Sequence, residues 1–389
     1  MENSTNPQFA ELRDGIRRYI NDELIPLEKE LGLSPEDPWP REVLGRIWKR
    51  SYELGYLGAT LPKQLGGPGL TVVETCLLKA DIAESGSILS AHVLGDLSGP
   101  PRVGNLMPIA TPDQIERFFM PVIRGEKGIC FALTEPHSGS DAASIKTSAV
   151  RDGDELIING HKHYISGSTF ADFAIVICVT DPEAGASGIS AVLVDLHSAG
   201  VKRVEDYLPM SGQHVDSDLL FDNVRVPVTN VIGGFGNGLR LGMARINVNR
   251  LLHCPTMLGL ARMTYRRSVE YAQTRQQFGG PIARFQAIQH MLADMAASLY
   301  ACESMILNAA AKADSGADIR MEASACKLFV SERCFEVADK AVQIHGNVGV
   351  THNHPIEHAF RKLRMFRILT GTSEIQRNTI AKEILSKAK

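Results

Sequence analysis

The sequence predicts an α+β protein in three consecutive parts: a helical N-terminal domain (1–125), a middle β-domain (126–236) and a helical C-terminal domain (237–389). Three observations predict it. Apolar residues recur at three- and four-residue spacing at the start, short β-branched runs replace that period in the middle, and the helical period returns from Gly238 onward. No internal repeat or low-complexity tract interrupts this order. At 389 residues the chain can form two or three domains, or layers sharing one core.

In the first part Phe9, Leu12, Ile16, Tyr19, Ile20 and Leu24 share one face of an amphipathic helix. Pro62-Lys-Gln-Leu-Gly-Gly-Pro-Gly69 reads as a loop, because its glycines reach φ > 0 and admit close backbone approach. In the middle part Leu156-Ile-Ile158, Ala174–Val179, Ile189–Asp195 and Leu219–Val226 read as strands. Punctuators such as Arg151-Asp-Gly-Asp154 and Asn159-Gly160 separate them, the pattern of an antiparallel barrel or sandwich. In the third part Met257–Thr274, Phe285–Ala313 and Arg320–Val348 are long, Ala/Leu/Met-rich and amphipathic.

A hydrophobic content of 44% and a charged content of 22% are those of a soluble globular protein. A net charge of −3 gives no footprint for nucleic acid or an anionic membrane. The start, Met-Glu-Asn-Ser-Thr-Asn-Pro, carries no basic stretch before an apolar run, so no signal peptide is read, and no apolar stretch is long enough to span a bilayer. Seven cysteines (76, 130, 178, 254, 302, 326, 334) are scattered without a C-x-x-C pair. That suits buried thiols in a reducing compartment, with cytoplasm as the expected location and a processed organellar protein as the second reading.

Several segments carry chemistry. Cys130-Phe-Ala-Leu-Thr-Glu-Pro-His-Ser-Gly-Ser-Asp141 opens the β-domain with small hydroxylic residues that suit a planar hydrogen-bonding ligand, although alone it also reads as a polar strand-to-loop transition. Asp154–Ser166 and Phe221–Gly233 follow. Arg275-Gln-Gln-Phe-Gly-Gly-Pro-Ile-Ala-Arg-Phe-Gln286 offers a guanidinium fork to phosphate oxygens, or else a solvated Arg275 at a helix end capped by Gly279-Gly280. Gln343-Ile-His-Gly-Asn-Val-Gly349 and Arg367-Ile-Leu-Thr-Gly-Thr-Ser-Glu-Ile-Gln-Arg377 complete the set.

Together, in order and spacing, these segments resemble the acyl-CoA dehydrogenase family over essentially the whole chain. The resemblance implies a C-terminal four-helix bundle, FAD as cofactor, an acyl-CoA or acyl-carrier thioester as substrate, and a homotetramer built as a dimer of dimers. It places Phe131, Leu133 and Thr134 along the isoalloxazine ring and Tyr164, where Trp is frequent, packed against it. Ser166 would face flavin N5, and Ser140 would meet the CoA side of the ligand. Arg275, Phe278, Phe285, Gln286, Gln343, Gly346 and Asn347 would bind FAD across a subunit boundary, with Thr372 and Glu374 beside the cofactor. Asn347, where a second Gly is usual, and Val350, where an aromatic is common, depart from the pattern.

The larger departure concerns the base. The family removes the substrate α-proton with a glutamate just before Gly371-Thr372, or at a second place just before Arg250-Leu251; this chain has Thr370 and Asn249 there. Neither a hydroxyl nor an amide accepts a proton at neutral pH, and losing a positioned base costs roughly 10²–10⁴ in rate. Arg250 and Gly371 stay on the substrate side of this resemblance. Asp96 is a candidate replacement base, and Arg102 is read either as meeting a polar acyl tail or as a solvated loop arginine. Glu374 is read as structural, His352–His358 as a loop-to-helix turn without metal, and His161 and His163 as sharing one surface face of a strand.

The expected protein is therefore an FAD-dependent acyl-thioester oxidoreductase with non-standard chemistry. The alternatives are a flavin-dependent oxygenase, an enoyl-thioester reductase, an ordinary dehydrogenase with a displaced carboxylate, and a non-catalytic subunit of a heteromeric enzyme. The electron acceptor stays open.

Overall fold

The computed structural model describes residues 6–387, so the opening residues read as lacking a signal peptide lie outside it. Asn6 caps α1 (Pro7–Tyr19), which buries Phe9, Ile16 and Tyr19. A π-turn (Ile20–Leu24) keeps Ile20 and Leu24 on the same buried side before α2 (Ile25–Glu30). Its cause is Pro26, which has no N–H to continue the ladder. α3 (Arg41–Glu53) adds Leu44, Ile47 and Trp48 to this core.

α4 (Val72–Glu84) starts on a Thr71/Glu74 capping box, and Asp314 accepts from Val72 N at 2.6 Å and Val73 N at 3.1 Å. Its Leu78 and Ile82 join the N-terminal core while Cys76 joins the C-terminal bundle, so the helix is apolar on two sides. Residues 85–111 then depart from the helical expectation for 1–125 and run as turns and single 3₁₀ turns. Gly95 has φ 76°, and a Cβ on Gly99 would stand 2.7 Å from the Gly95 Cα. Gly99-Pro100-Pro101 closes any helix across this stretch. α5 (Pro112–Gln114), a second π-turn ahead of Pro121, and α6 (Met120–Ile123) lead into the β-domain.

The strands are β1 (Ile129–Ala132), β2 (Ser148–Asp152), β3 (Glu155–Ser166), β4 (Phe173–Val179), β5 (Ile189–Asp195), β6 (Val201–Tyr207), β7 (Asp216–Pro227) and β8 (Val231–Ile232). Their order is β6-β7-β3-β2-β4-β5-β8, with β1 on β4. Most pairs are antiparallel as expected, but β1–β4 and β2–β4 are parallel. β4 is buried on both faces: Ile175 and Ile177 pack with Phe118 and Phe119, while Ala174, Val176 and Cys178 face the opposite layer. That explains its unbroken apolar run. Arg151–Asp154 is the β2–β3 turn, whereas Asn159-Gly160 is no turn. It lies inside β3 at a register shift, where a Cβ on Gly160 would stand 2.4 Å from Thr147 Oγ1.

The C-terminal part holds α7 (Gly238–Leu252), α8 (Cys254–Thr274), a small β9–β10 hairpin (Gln276–Gln277, Gly280–Pro281), α9 (Gln286–Asp314), α10 (Arg320–His345), α11 (Pro355–Met365) and α12 (Ser373–Lys387). α10 ends three residues early, where Gly346 turns at φ 59°. All seven cysteines are buried free thiols.

His92 is fully buried among Trp39, Trp48 and Phe170, and its Nδ1 accepts from Trp48 Nε1 at 3.1 Å. Burial pulls it from 6.5 to about 3. The unfolded chain thus binds a proton that the folded one refuses, and stability falls as pH drops below about 6.5. Between pH 7 and pH 5 this residue should remove about 2 kcal/mol. Urea unfolding at both values should show the loss, and His92→Gln, which keeps an acceptor for Trp48, should flatten it.

Candidate active site

The structure brings two groups of expected residues together, at two places. At the first, α7 packs over β5 and β4 and meets β1 through the Phe131 side chain. Gly242 faces Phe131, since a Cβ there would meet Phe131 Cζ at 3.3 Å, and one turn later the Arg245 guanidinium lies 4.7 Å from the Phe131 ring centroid. Arg245, Asn249 and His253 follow at four-residue spacing, so they share that face. Arg250 turns the other way. Its Nη1 donates to Ser324 on α10 at 3.3 Å, and its Nη2 lies 3.8 Å from where a Gly371 Cβ would stand.

That contact brings the two base positions into one neighbourhood. Thr370 and Gly371 form a turn held by three hydrogen bonds: Lys327 Nζ to Gly371 O at 2.7 Å, and Gln376 Nε2 to Thr370 O at 3.3 Å and to Gly371 O at 3.0 Å. Burial lowers Lys327 to about 8. Thr370 has φ 56°, a region that β-branched residues avoid. Tyr164 (φ 54°) and Phe278 (φ 52°) are also left-handed, so three of the five such non-glycine residues are expected site residues. Strain of this kind persists where surrounding structure enforces it.

Arg102 is not the solvated loop arginine that one reading allowed. It is 9% exposed, burial lowers its pKa, and its Nε has no partner. Arg245 is lowered to about 9, first by burial and then by Arg102. Neither guanidinium makes an ion pair or hydrogen bond among the described residues. His253 is lowered to about 4, mainly by burial. Asp96, expected as a replacement base, is instead ion-paired with Lys79. The carboxyl that does stand beside Ser166 is Asp216, its partner across the β3–β7 ladder. Burial raises its pKa, and its Oδ1 has no partner.

Along the sheet edge, His163 N donates to Thr134 O at 2.8 Å, which sets Thr134 beside the Tyr164 strand; Leu133 is buried behind them. The Tyr164 ring is 57% exposed. An exposed aromatic face, the Thr134 and Ser166 hydroxyls and the Phe131 edge make a donor set that fits a planar heteroaromatic cofactor. Ser140 lies exposed on the following loop. His161 and His163 share one face as expected, but both contact the buried Asp218: His161 Nε2 at 2.5 Å and His163 Nδ1 at 2.8 Å. With Asp218 they are the one group among the described residues with metal-ligand proximity.

The second place is the far end of the bundle. Tyr271 stacks on His345 at 4.5 Å, bringing the Arg275–Gln286 hairpin next to Gln343, Gly346 and Asn347. Arg275, Gln286, Gln343, Gly346 and Asn347 are exposed, and Phe278 is 87% exposed with its ring edge toward Phe285. Thr372 Oγ1 accepts from Ile375 N as α12 begins, and Glu374 is exposed, its carboxyl held low by backbone N–H and Thr372.

This fold and site define a flavoprotein oxidoreductase of the CH–CH type. The chain matches family models for the N-terminal domain (6–126), the middle domain (130–224) and the C-terminal domain (236–385) of acyl-CoA dehydrogenases. It belongs to the acyl-CoA dehydrogenase family and is an FAD-dependent enzyme acting on CH–CH bonds. It is 34% identical to a 3-(aryl)acrylate reductase of Clostridium sporogenes, covering 97% of this chain and 99% of that one. It is 35% identical to the caffeyl-CoA reductase–Etf complex subunit CarC of Acetobacterium woodii, covering 96% of each. The butyryl-CoA dehydrogenase of Megasphaera elsdenii superposes with a TM-score of 0.88 at 26% identity, over 99% of this chain and 100% of that one.

Arg245, His253, Lys327 and Asp216 were missed by sequence reasoning; the four-residue spacing of Arg245 and His253 about Asn249 was the available signal for two of them. Because Thr370 is strained, Thr370→Gly should raise stability by about 1 kcal/mol with flavin content unchanged, checked by urea unfolding of the holoenzyme.

Proposed function

We propose that this protein is an enoyl-thioester reductase: hydride goes to the β-carbon, a proton goes to the α-carbon, and a saturated acyl thioester is released. The observation that carries the reading is the absence of a carboxylate at both 370 and 249 together with two unpaired guanidiniums, Arg245 and Arg102, in the same wall. Bound FAD supplies the hydride chemistry at its N5. Phe131, Leu133, Thr134, Tyr164 and Ser166 hold and orient its ring, and the Arg275–Gln286 and Gln343–Asn347 segments reach the cofactor of a neighbouring protomer in a homotetramer.

The chain's own part follows from charge. Hydride addition makes the thioester electron-rich as an enolate, which Arg245 and the backbone at the Thr370–Gly371 turn stabilise. The enolate takes its α-proton from water or a weak acid, because Thr370 and Asn249 offer no carboxylic acid there, and the electron donor sets the direction. Two of the three relatives named above are reductases, which supports the same direction. The name of one of them includes an Etf complex, and an electron-transferring flavoprotein is the electron donor we infer.

A second reading rests on Asp216. Its buried, protonation-prone carboxyl beside Ser166 is the one candidate for a displaced base.

Chemically reduced enzyme mixed anaerobically with an enoyl-CoA should regain oxidised-flavin absorbance, while oxidised enzyme with saturated acyl-CoA should bleach far more slowly. Rapid bleaching by saturated esters would sink the reductase reading. Arg245→Met should slow reoxidation by about 100-fold. Asp216→Asn should leave it unchanged, and a matching loss there would identify Asp216 as the proton carrier. Thr370→Glu should speed bleaching by saturated acyl-CoA. Independently, Arg275→Ala should release FAD on gel filtration, and full retention would remove that arginine from the cofactor site.

A further inference from the structure

A cavity of about 190 Å³ lies between α4, α8, α11 and the Ser87–Asp96 segment. Ile82, Leu260 and Met263 give it an apolar wall, while Lys79, Asp96 and Lys362 bring charge to it. Lys79 and Asp96 neutralise each other as an ion pair. Lys362 has no such partner: among the described residues it makes neither a hydrogen bond nor an ion pair. Burial alone lowers it to about 8. One turn earlier on α11, His358 is 9% exposed, its Nε2 has no partner, and burial pulls it to about 3, so it supplies no negative charge. The lining therefore carries one uncompensated cation.

One helical face leads from the substrate wall toward the cavity. Arg245, Asn249 and His253 on α7 are followed by Thr256, Leu260 and Met263 on α8, and the spacing of four, four, three, four and three keeps one face along both helices. His253 joins the helices at φ −82°, ψ −24°, close to helical geometry. Asn249 and Leu260 are thus separated by about 16 Å at the α-helical rise. His253 also lies within electrostatic reach of Lys79 and Asp96, two residues of the cavity lining.

We propose that this cavity is the far end of the acyl channel and that Lys362 is the counter-ion for a carboxylate at the distal end of the acyl group. The inference rests on the reading that the thioester sits at Asn249 and Thr370. Lys362 is half-buried and has no carboxylate partner among the described residues, and a carboxylate reaching it gains a charge-assisted hydrogen bond that a methyl end cannot make. The substrate class is a CoA ester whose acyl group is long enough to span from the turn to the cavity and carries a terminal acid.

The test is calorimetric titration of oxidised holoenzyme with saturated CoA esters of matched length, ending in methyl or in carboxylate. Carboxylate-ended esters should bind about tenfold or more tightly. Lys362→Met should level the two affinities while leaving the methyl-ended ester unaffected or improved, and Lys362→Arg should keep the preference. Equal affinities in the wild type, or a preference surviving Lys362→Met, would overturn the assignment. Binding of a free alkyl monocarboxylate alongside a short-chain CoA ester, without competition from the long ester, would mean an independent anion site and would equally overturn it. Failure of every CoA ester to bind would instead remove the thioester reading beneath it. Because Lys362→Met deletes an unpaired, half-buried charge, it should unfold at an equal or higher temperature, which separates lost recognition from lost fold.

Discussion

The seating of α7 against Phe131 of β1 governs the geometry of the whole substrate wall. Gly242 admits the helix close to Phe131, and Arg245 closes over the same ring. Once that contact fixes the rotation of α7 about its axis, the helical period fixes where Asn249 and His253 point. The nearly continuous junction into α8 extends the same face to Leu260 and Met263. On its other side α7 sends Arg250 to Ser324 and toward Gly371. One helix therefore aligns the channel and fastens the turn that closes it, and a Cβ at Gly242 would disturb both.

Buried cations elsewhere in the protein show how unusual the channel is. Lys162, fully buried, is satisfied by Glu135 at 2.7 Å and the Leu133 carbonyl at 3.0 Å. Lys79 has Asp96, and Lys327 has the Gly371 carbonyl. Folding supplied each with an acceptor, as desolvation demands. Arg102, Arg245 and Lys362 have none among the described residues: Arg245 lies over Phe131 within reach of Arg102, and Lys362 lines the cavity. Under the proposed function, a bound ligand brings the anion that folding did not supply. The strained backbone at Tyr164, Phe278 and Thr370 falls at expected site positions for a related reason: conformations that folding alone would relax are kept where a ligand needs them.

Much of the fold was legible because its signals are local. The face of α1, the β2–β3 turn at Arg151–Asp154 and the long bundle helices each follow from a period or a turn within one segment. Residues 85–111 fall inside the part read as helical, whereas Gly95, Gly99 and Pro100 set turns there through close backbone contacts that such a broad reading does not resolve. Asn159-Gly160 failed for the same reason: its glycine answers Thr147 on the neighbouring strand, not a chain reversal. In the site, Thr370 and Asn249 were found because resemblance names those positions. Asp216 and Lys362 have no local signature at all. Asp216 meets Ser166 and Arg102 only once β7 lies against β3, and Lys362 meets the cavity only once α11 lies against α8.

The absent carboxylates at 370 and 249 and the unpaired guanidiniums of Arg245 and Arg102 bear on the same chemistry. A nearby cation stabilises a carboxylate and lowers its pKa, which weakens it as a base. A glutamate at 249 would share a helix face with Arg245, whose charge would lower its basicity. The same field stabilises negative charge on the substrate instead, where hydride addition creates it. Asp216 sits at the balance point, with burial raising its pKa and Arg102 opposing that rise. Under the proposed reductase reading, a cationic wall favours negative charge on the substrate over a strongly basic carboxylate. The chemistry of the channel turns on which charge its residues were left to find.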